Sequence, residues 1–167
     1  GHEAVGIVAG VQSKGVGTSL KHFAANSQET DRLRISANIS QRALREIYFP
    51  AFEYIVKTAQ PWTIMCSYNR INGVHSAQNR WLLTDVLRDE WGYEGIVMSD
   101  WGADHDRVAS LNAGLNLEMP PSYTDDQIVY AARDGRIQPE QLDRMAQGMI
   151  DLANKTRAAM SIDGYRF

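Results

Sequence analysis

Residues 94–107 read EGIVMSDWGADHDR. Ile96, Val97 and Met98 form a short apolar run behind Gly95, the pattern of a strand buried on both faces. Asp100 and Trp101 follow directly. A strand that ends in this way places an ionisable group and an aromatic plate where the sheet meets a loop. Asp100 also has a structural reading, because Ser99-Asp100 ahead of a helical run is an N-cap pattern.

The same alternation recurs on both sides of this stretch. VGTSLKHFA (16–24), WTIMCSY (62–68) and LNLEM (115–119) read as further short strands. Between them lie helical patterns. Residues 3–12 carry Val5, Val8 and Ala9 on one side. A helix from Ser40 has Leu44, Ile47, Tyr48, Phe52, Ile55 and Val56 at helical spacing, with Pro50 predicting a kink. Asn79 is placed to cap a helix through Trp81, Leu82, Val86, Leu87 and Trp91, and Gly92 stands at its C′ position. A short helix is expected over Arg107–Asn112. Thr124 and Gln127 form a capping-box pattern ahead of a helix that stops at Gly135. Pro139 opens a last helix with Leu142, Met145, Met149, Ile150 and Leu152 inward. NSQETDRLRISANIS (26–40) and NRINGVHSAQ (69–78) read as loops, the latter turning at Asn72-Gly73. Strands that alternate with helices give a parallel sheet, either doubly wound or closed as a barrel, with function at the carboxyl ends of the strands.

Bulk properties narrow the class. The chain has 167 residues, 44% hydrophobic and 22% charged, with a net charge of −3. That suits one globular domain with a sizeable core and disfavours a nucleic-acid partner, which selects a basic face. No apolar run reaches the length of a membrane span. Cys66 is the single cysteine, so no internal disulfide forms, and it reads as a small buried residue. The start GHEAVGIVAG, without Met or a basic leader, reads as a piece of a longer or processed chain. Compartment stays open.

The strand tips gather Lys21-His22-Phe23, Met65 to Tyr68 with Asn69, Asp100-Trp101 and Glu118-Met119. Burying an unpaired charge costs roughly several kcal/mol, so these groups pair or meet a ligand. Each has a plainer reading: Lys21 at the surface, His22 satisfied in the core, Tyr68 in packing, Glu118 as a structural carboxylate. All of these would have to hold together at one end of the sheet. Asp104, His105 and Asp106 lack a further ligand at metal-site spacing, so no metal is expected. GVQSKGVG has no phosphate-loop spacing and no GxSxG elbow occurs, so no cofactor is expected either.

Five blocks, SLKHFAANSQETDR, ALREIYFPAFE, IMCSYNRINGVHS, LLTDVLRDEWGYEGIVMSDWGADHD and AGLNLEMP, resemble in order the catalytic barrel of family 3 glycoside hydrolases of the β-glucosidase type. The block from Leu82 to Trp101 is the most specific; SIDGYRF (161–167) lies outside the resemblance. It implies the C-terminal half of a TIM-type (β/α)8 barrel with about four parallel strands, residues 1–167 being part of that family's N-terminal catalytic domain. It further implies that Asp100 is the nucleophile of a retaining mechanism and that Lys21 and His22 bind sugar hydroxyls. Tyr68 then lies beside the nucleophile, Met65 lines the pocket and Trp101 walls it. The substrates implied are β-glucosides, including cello-oligosaccharides, or xylosides. The acid/base glutamate is expected from a second domain, and the in-chain carboxylates Glu29 and Glu118 are not assigned that role. Asn116 replaces a frequent aspartate and is expected just behind the site. His75 replaces a frequent proline. The loop after His22 lacks the Asp-x-His pair of the N-acetylglucosaminidase branch, which favours an unsubstituted hexose or pentose.

Two other classes compete. A catalytically incompetent half-barrel would pack on a missing half or on itself through its open edges. A Schiff-base aldolase would use Lys21 as its amine, but leaves Asp100, Trp101 and Tyr68 without a task.

Overall fold

The structure is a computed structural model that describes residues 1–160, so SIDGYRF lies outside the described residues. In chain order, α1 (His2–Gln12) leads to β1 (Ser19–Phe23) and the two-residue β2 (Ser36–Ala37). Next come α2 (Gln41–Ala43), a π-helical turn (Leu44–Tyr48) and α3 (Pro50–Ala59). β3 (Thr63–Cys66) precedes the hairpin of β4 (Arg70–Ile71) and β5 (Val74–His75), then a 3₁₀ turn (Ser76–Gln78) and a π-helix (Trp81–Glu90). β6 (Ile96–Met98), α4 (Arg107–Ala113), α5 (Asp125–Arg133) and α6 (Pro139–Met160) complete the chain.

β1, β3 and β6 form a parallel sheet in that order, as βαβ units require. The fourth expected strand is reduced to one parallel bridge, Met98 to Leu117. The cause is local. Asn116 Oδ1 accepts the Val97 N–H at 2.9 Å, so a side chain occupies the place of a ladder carbonyl. The strands are also shorter than their apolar runs, and β3 is covered on one face only, whereas Ile96 and Val97 of β6 are both buried. Ile64 and Cys66 are fully buried, whereas Thr63 and Met65, which alternate with them, are half-buried. The expected loops hold a second small sheet, β2–β4–β5, closed at Asn72 (φ 50) and Gly73 (φ 91), two positive angles that fit a two-residue hairpin turn.

The covered face packs against α3 and the π-helix. Phe23, Phe49, Phe52, Trp81 and Trp91 interlock with ring centroids 5.2–5.9 Å apart, within the range for favourable aromatic pairs. The predicted kink at Pro50 is instead a π-turn just before it: Phe49 N–H bonds Leu44 C=O at 2.8 Å, and Pro50 opens α3, where its missing N–H costs nothing. Ile47 consequently points outward, 72% exposed. Asn79 caps the π-helix through its Oδ1 and the Leu82 N–H, as its sequence position suggests. The Thr124 capping box does not form; its hydroxyl pairs with Ser122 Oγ at 2.6 Å. On α6, Met145 faces a second core with Leu111, Ala131 and Ile137, while Ile150 is exposed.

The amino-terminal end of the sheet is latched by Arg88. Its guanidinium donates to Gly95 C=O at 3.0 Å, Gly114 C=O at 3.2 Å and Asn116 Oδ1 at 2.8 Å. Burial pulls its pKa below the usual arginine range. Gly95 is required here, since a Cβ would lie 2.6 Å from the Trp62 carbonyl oxygen. Asn116 belongs to this latch and also donates to Met145 C=O, so it lies at the opposite end of the sheet from Asp100 and not behind it. An apolar cleft of about 400 Å³ opens at the same amino-terminal end, between Val16, Gly17, Trp62 and Leu152.

Candidate active site

Asp100 is 7% exposed, two residues beyond the end of β6. Its backbone N–H donates to Cys66 C=O at 3.3 Å, which extends the β6–β3 contact past the regular ladder. Its C=O accepts from Ala103 N–H at 2.9 Å, closing a tight turn. Within that turn Trp101 N–H donates to Asp100 Oδ1 at 2.8 Å. The other oxygen, Oδ2, lies 3.3 Å from His22 Nε2 at the tip of β1. The carboxylate is therefore held from the turn after β6 and from the tip of β1, with Tyr68 hydrogen-bonding it as well. The cap of α4 is Asp106, whose Oδ1 accepts Ala109 N–H at 3.0 Å, so Asp100 is not spent on capping.

The other tip residues fall around this carboxylate to different degrees. Tyr68 is 8% exposed. Burial, then the charge of Asp100, holds its phenol above the usual range, so it stays protonated near neutral pH and able to donate. Met65 pairs with Met98 across β3 and β6, half-buried on the face away from the helical core. Trp101 is 65% exposed and presents its indole at the surface. Lys21 is exposed beside His22. Of the two neighbours, His22 is the base that pairs with Asp100.

Sequence reading overlooked Arg32. Its guanidinium lies 4.9 Å from the Tyr68 ring centroid, in the range of a cation–π contact, and pairs with Glu29 at 3.2 Å. A charged residue in a polar loop gives no local sign of such a contact. Buried hydroxyls and amides fix the loops beneath: Ser67 Oγ and Asn69 Nδ2 both donate to Ala24 C=O, at 2.9 and 3.2 Å, and Ser67 Oγ pairs with Ser76 Oγ at 2.9 Å. Cys66 is fully buried, and burial pushes its thiol up to about 12, which leaves it inert.

Asp104, His105 and Asp106 do not converge on an ion, and no cluster of three metal-ligating side chains occurs among the described residues. Asp104 is instead buried and bonded to Ser110 Oγ at 2.7 Å and Arg107 Nη1 at 3.3 Å. Glu118 accepts both Ser122 N–H and Oγ at 2.9 Å. His105 stacks on His75, centroids 4.0 Å apart. No described helix is long and apolar enough to cross a membrane.

Comparisons with known proteins bear on this arrangement. The model of the glycosyl hydrolase family 3 N-terminal domain matches residues 2–152. The chain is 89% identical over its full length to an exo-α-(1→6)-L-arabinopyranosidase of Bifidobacterium breve, and 50% identical over 145 residues to thermostable β-glucosidase B of Acetivibrio thermocellus. The crystal structure of a β-glucosidase from Bifidobacterium adolescentis superposes over the whole chain with a TM-score of 0.96 at 95% identity. β-Glucosidase 3B of Thermotoga neapolitana, solved in complex with glucose, superposes over 93% of it with a TM-score of 0.88 at 42% identity. The chain spans 22% of the length of the first relative and 25% of that of the first structure. Its parallel strands and helices are thus part of the TIM-type barrel of these enzymes, and the chain belongs to glycosyl hydrolase family 3.

Proposed function

We propose that this chain supplies the nucleophile and one wall of the sugar pocket of a retaining glycoside hydrolase acting on terminal, non-reducing β-D-glucosyl or β-D-xylosyl residues. The observation that carries this reading is the buried Asp100 carboxylate, fixed through Trp101 N–H and facing His22 at a strand tip. Asp100 attacks the anomeric carbon as the glycosidic bond breaks, and the leaving oxygen takes a proton from a general acid. Water then attacks the same carbon, gives up a proton to that group, and releases the Asp100 carboxylate. Lys21 and His22 bind sugar hydroxyls, Met65 lines the pocket and Trp101 covers an apolar sugar face. Tyr68, kept protonated, donates toward Asp100 as the ester breaks.

The acid/base group in such enzymes stands about 5–5.5 Å from the nucleophile. Arg107 already engages Asp104 and Glu118, and Glu29 pairs with Arg32 in the outer loop. The acid therefore comes from a segment beyond this partial barrel, for which relatives four to five times as long have room. The same long relatives make packing against further barrel strands and a second domain the natural setting for the open face.

The relative named as an arabinopyranosidase favours a second substrate reading. In the ordinary chair, an α-L-arabinopyranoside and a β-D-glucopyranoside both carry the leaving oxygen equatorially. One attack geometry serves both; they differ in the direction of the C4 hydroxyl and in the C5 substituent. The test uses a polypeptide that carries this chain at the length of its relatives. It is assayed on aryl β-D-glucoside, β-D-xyloside and α-L-arabinopyranoside, with the first anomer released followed by NMR. Retention of configuration on any of the three supports the reading, and the ratio of kcat/KM values assigns the sugar. Release with inversion overturns it.

A further inference from the structure

Arg107 is surrounded by three carboxylates from separate parts of the chain. Nη1 lies 3.3 Å from Asp104, Nε lies 3.4 Å from Glu118 and Nη2 lies 3.7 Å from Asp125. Its side chain is 14% exposed and that of Asp104 only 1%, while Asp125 is 84% exposed. Buried ion pairs are a poor means of stabilising a fold, because desolvation offsets much of their attraction. What a planar guanidinium adds is direction: Nη1 hydrogen-bonds Asp104 while Nε, which makes no hydrogen bond, faces Glu118 as an ion pair, and the rigid plane fixes the angle between the two.

The two buried carboxylates belong to different loops. Asp104 ends the turn that starts at Asp100, and it also accepts from Ser110 Oγ at 2.7 Å and Asp106 N–H at 3.2 Å. Glu118 follows the Met98–Leu117 bridge and holds Ser122 through both N–H and Oγ. Two further links run between the same loops. Met119 N–H donates to Ser99 Oγ at 2.8 Å, and Gly102 N–H donates to Met119 C=O at 3.0 Å. The Trp101 N–H that holds Asp100 Oδ1 thus sits in a turn clamped from one side by Asp104–Arg107 and from the other by the loop that Glu118 anchors.

We propose that Arg107 is a positioning residue: it locks the turn of Asp100 and Trp101 to the loop at 118–124 and so fixes the direction in which the Asp100 carboxylate points. This rests on Asp100 acting as the nucleophile. Arg107 touches no substrate; it acts through the turn.

The test compares wild type with Arg107→Lys in the polypeptide at the length of its relatives. Lysine keeps the positive charge but, as a point charge, loses the rigid plane that faces both carboxylates at once. Asp100 is labelled with an activated 2-deoxy-2-fluoro-β-glucoside, which gives the reagent's Ki and the maximal labelling rate separately. A nucleophile displaced by about 1 Å loses up to about 100-fold in rate. The expected result is a labelling rate lowered about 10- to 100-fold, with Ki within about threefold and Tm within about 4 °C of wild type. Hydrogen exchange of residues 101–106 and 119–124 should rise together in the variant, with α3 unchanged. Should the variant fold poorly, Glu118→Gln is measured in the same way, since it removes one charge and keeps an acceptor for Ser122. Labelling at the wild-type rate, or exchange that rises in one loop alone, overturns the proposal. Wild type that takes no label contradicts Asp100 as nucleophile instead, and the exchange measurement still decides whether Arg107 couples the two loops.

Discussion

The two ends of the parallel sheet are built from similar residue types and do different things with them. At the amino-terminal end Arg88, Asn116 and Tyr93 bond mostly to backbone: Gly95 and Gly114 C=O for Arg88, which also bonds Asn116 Oδ1; Val97 N–H and Met145 C=O for Asn116; Ile96 C=O for Tyr93. At the carboxyl end Asp100 has one oxygen on a backbone N–H and the other facing a histidine, while Lys21 and Trp101 stand exposed. Polar groups paid off by backbone atoms close a fold. Groups that face one another across an open approach leave capacity for a ligand. The apolar cleft lies at the closed end, away from Asp100.

Substitutions at the two ends should therefore separate activity from stability. The largest effect is expected for Asp100→Asn: glycosidase activity should fall at least about 10³-fold with the fold intact, as the melting curve would show. Arg88→Met should do the reverse. It leaves Gly95 and Gly114 carbonyls and the Asn116 amide without their donor and should cost about 3 kcal/mol in denaturant unfolding, with kcat of the folded fraction unchanged. His22→Ala removes a partner of Asp100 Oδ2 and should lower kcat/KM about 10- to 100-fold, with less than about 1 kcal/mol lost from the fold.

The smallest effect concerns pH. His75 is held below the usual histidine range by burial, then by His105, and Arg70 Nε donates to its Nε2 at 3.0 Å. A depressed folded-state pKa means that the unfolded chain binds the proton more readily. The stability contributed by neutral His75 is thus present above the ordinary histidine pKa of about 6.5 and is lost as pH falls through the folded value. Tm followed from pH 8 to pH 5 should fall less steeply in His75→Phe than in wild type; equal slopes would remove His75 from the account.

Much of this division was legible in the sequence, for a physical reason. A buried strand must be apolar, so a polar residue at its end stands out, as Lys21-His22, Tyr68 and Asp100 do. Pro139 and Asn79 were legible because helix starts have their own chemistry. What escaped depends on partners distant in the chain. Two-residue strands such as β2 and β4 have no periodicity to read, and only the Asn72-Gly73 turn marks the hairpin of β4 and β5. LNLEM has the composition of a strand, yet Asn116 captures the Val97 N–H and the ladder stops at Leu117. Arg32 and Arg107 look solvated in sequence; one lies over Tyr68 and the other is buried among carboxylates. Asn116 was placed near the site from the resemblance and proved to be part of the latch at the far end.

The most direct test of the central claim is peptide mapping after exposure to an activated 2-deoxy-2-fluoro-β-glucoside, run on this chain alone and on a polypeptide at the length of its relatives. Such a reagent needs no general acid, so it interrogates the nucleophile by itself. The account predicts one glycosyl ester, on Asp100, at least in the longer polypeptide, and none in Asp100→Asn. A stable adduct on any other carboxylate, with Asp100 unmodified, would contradict it.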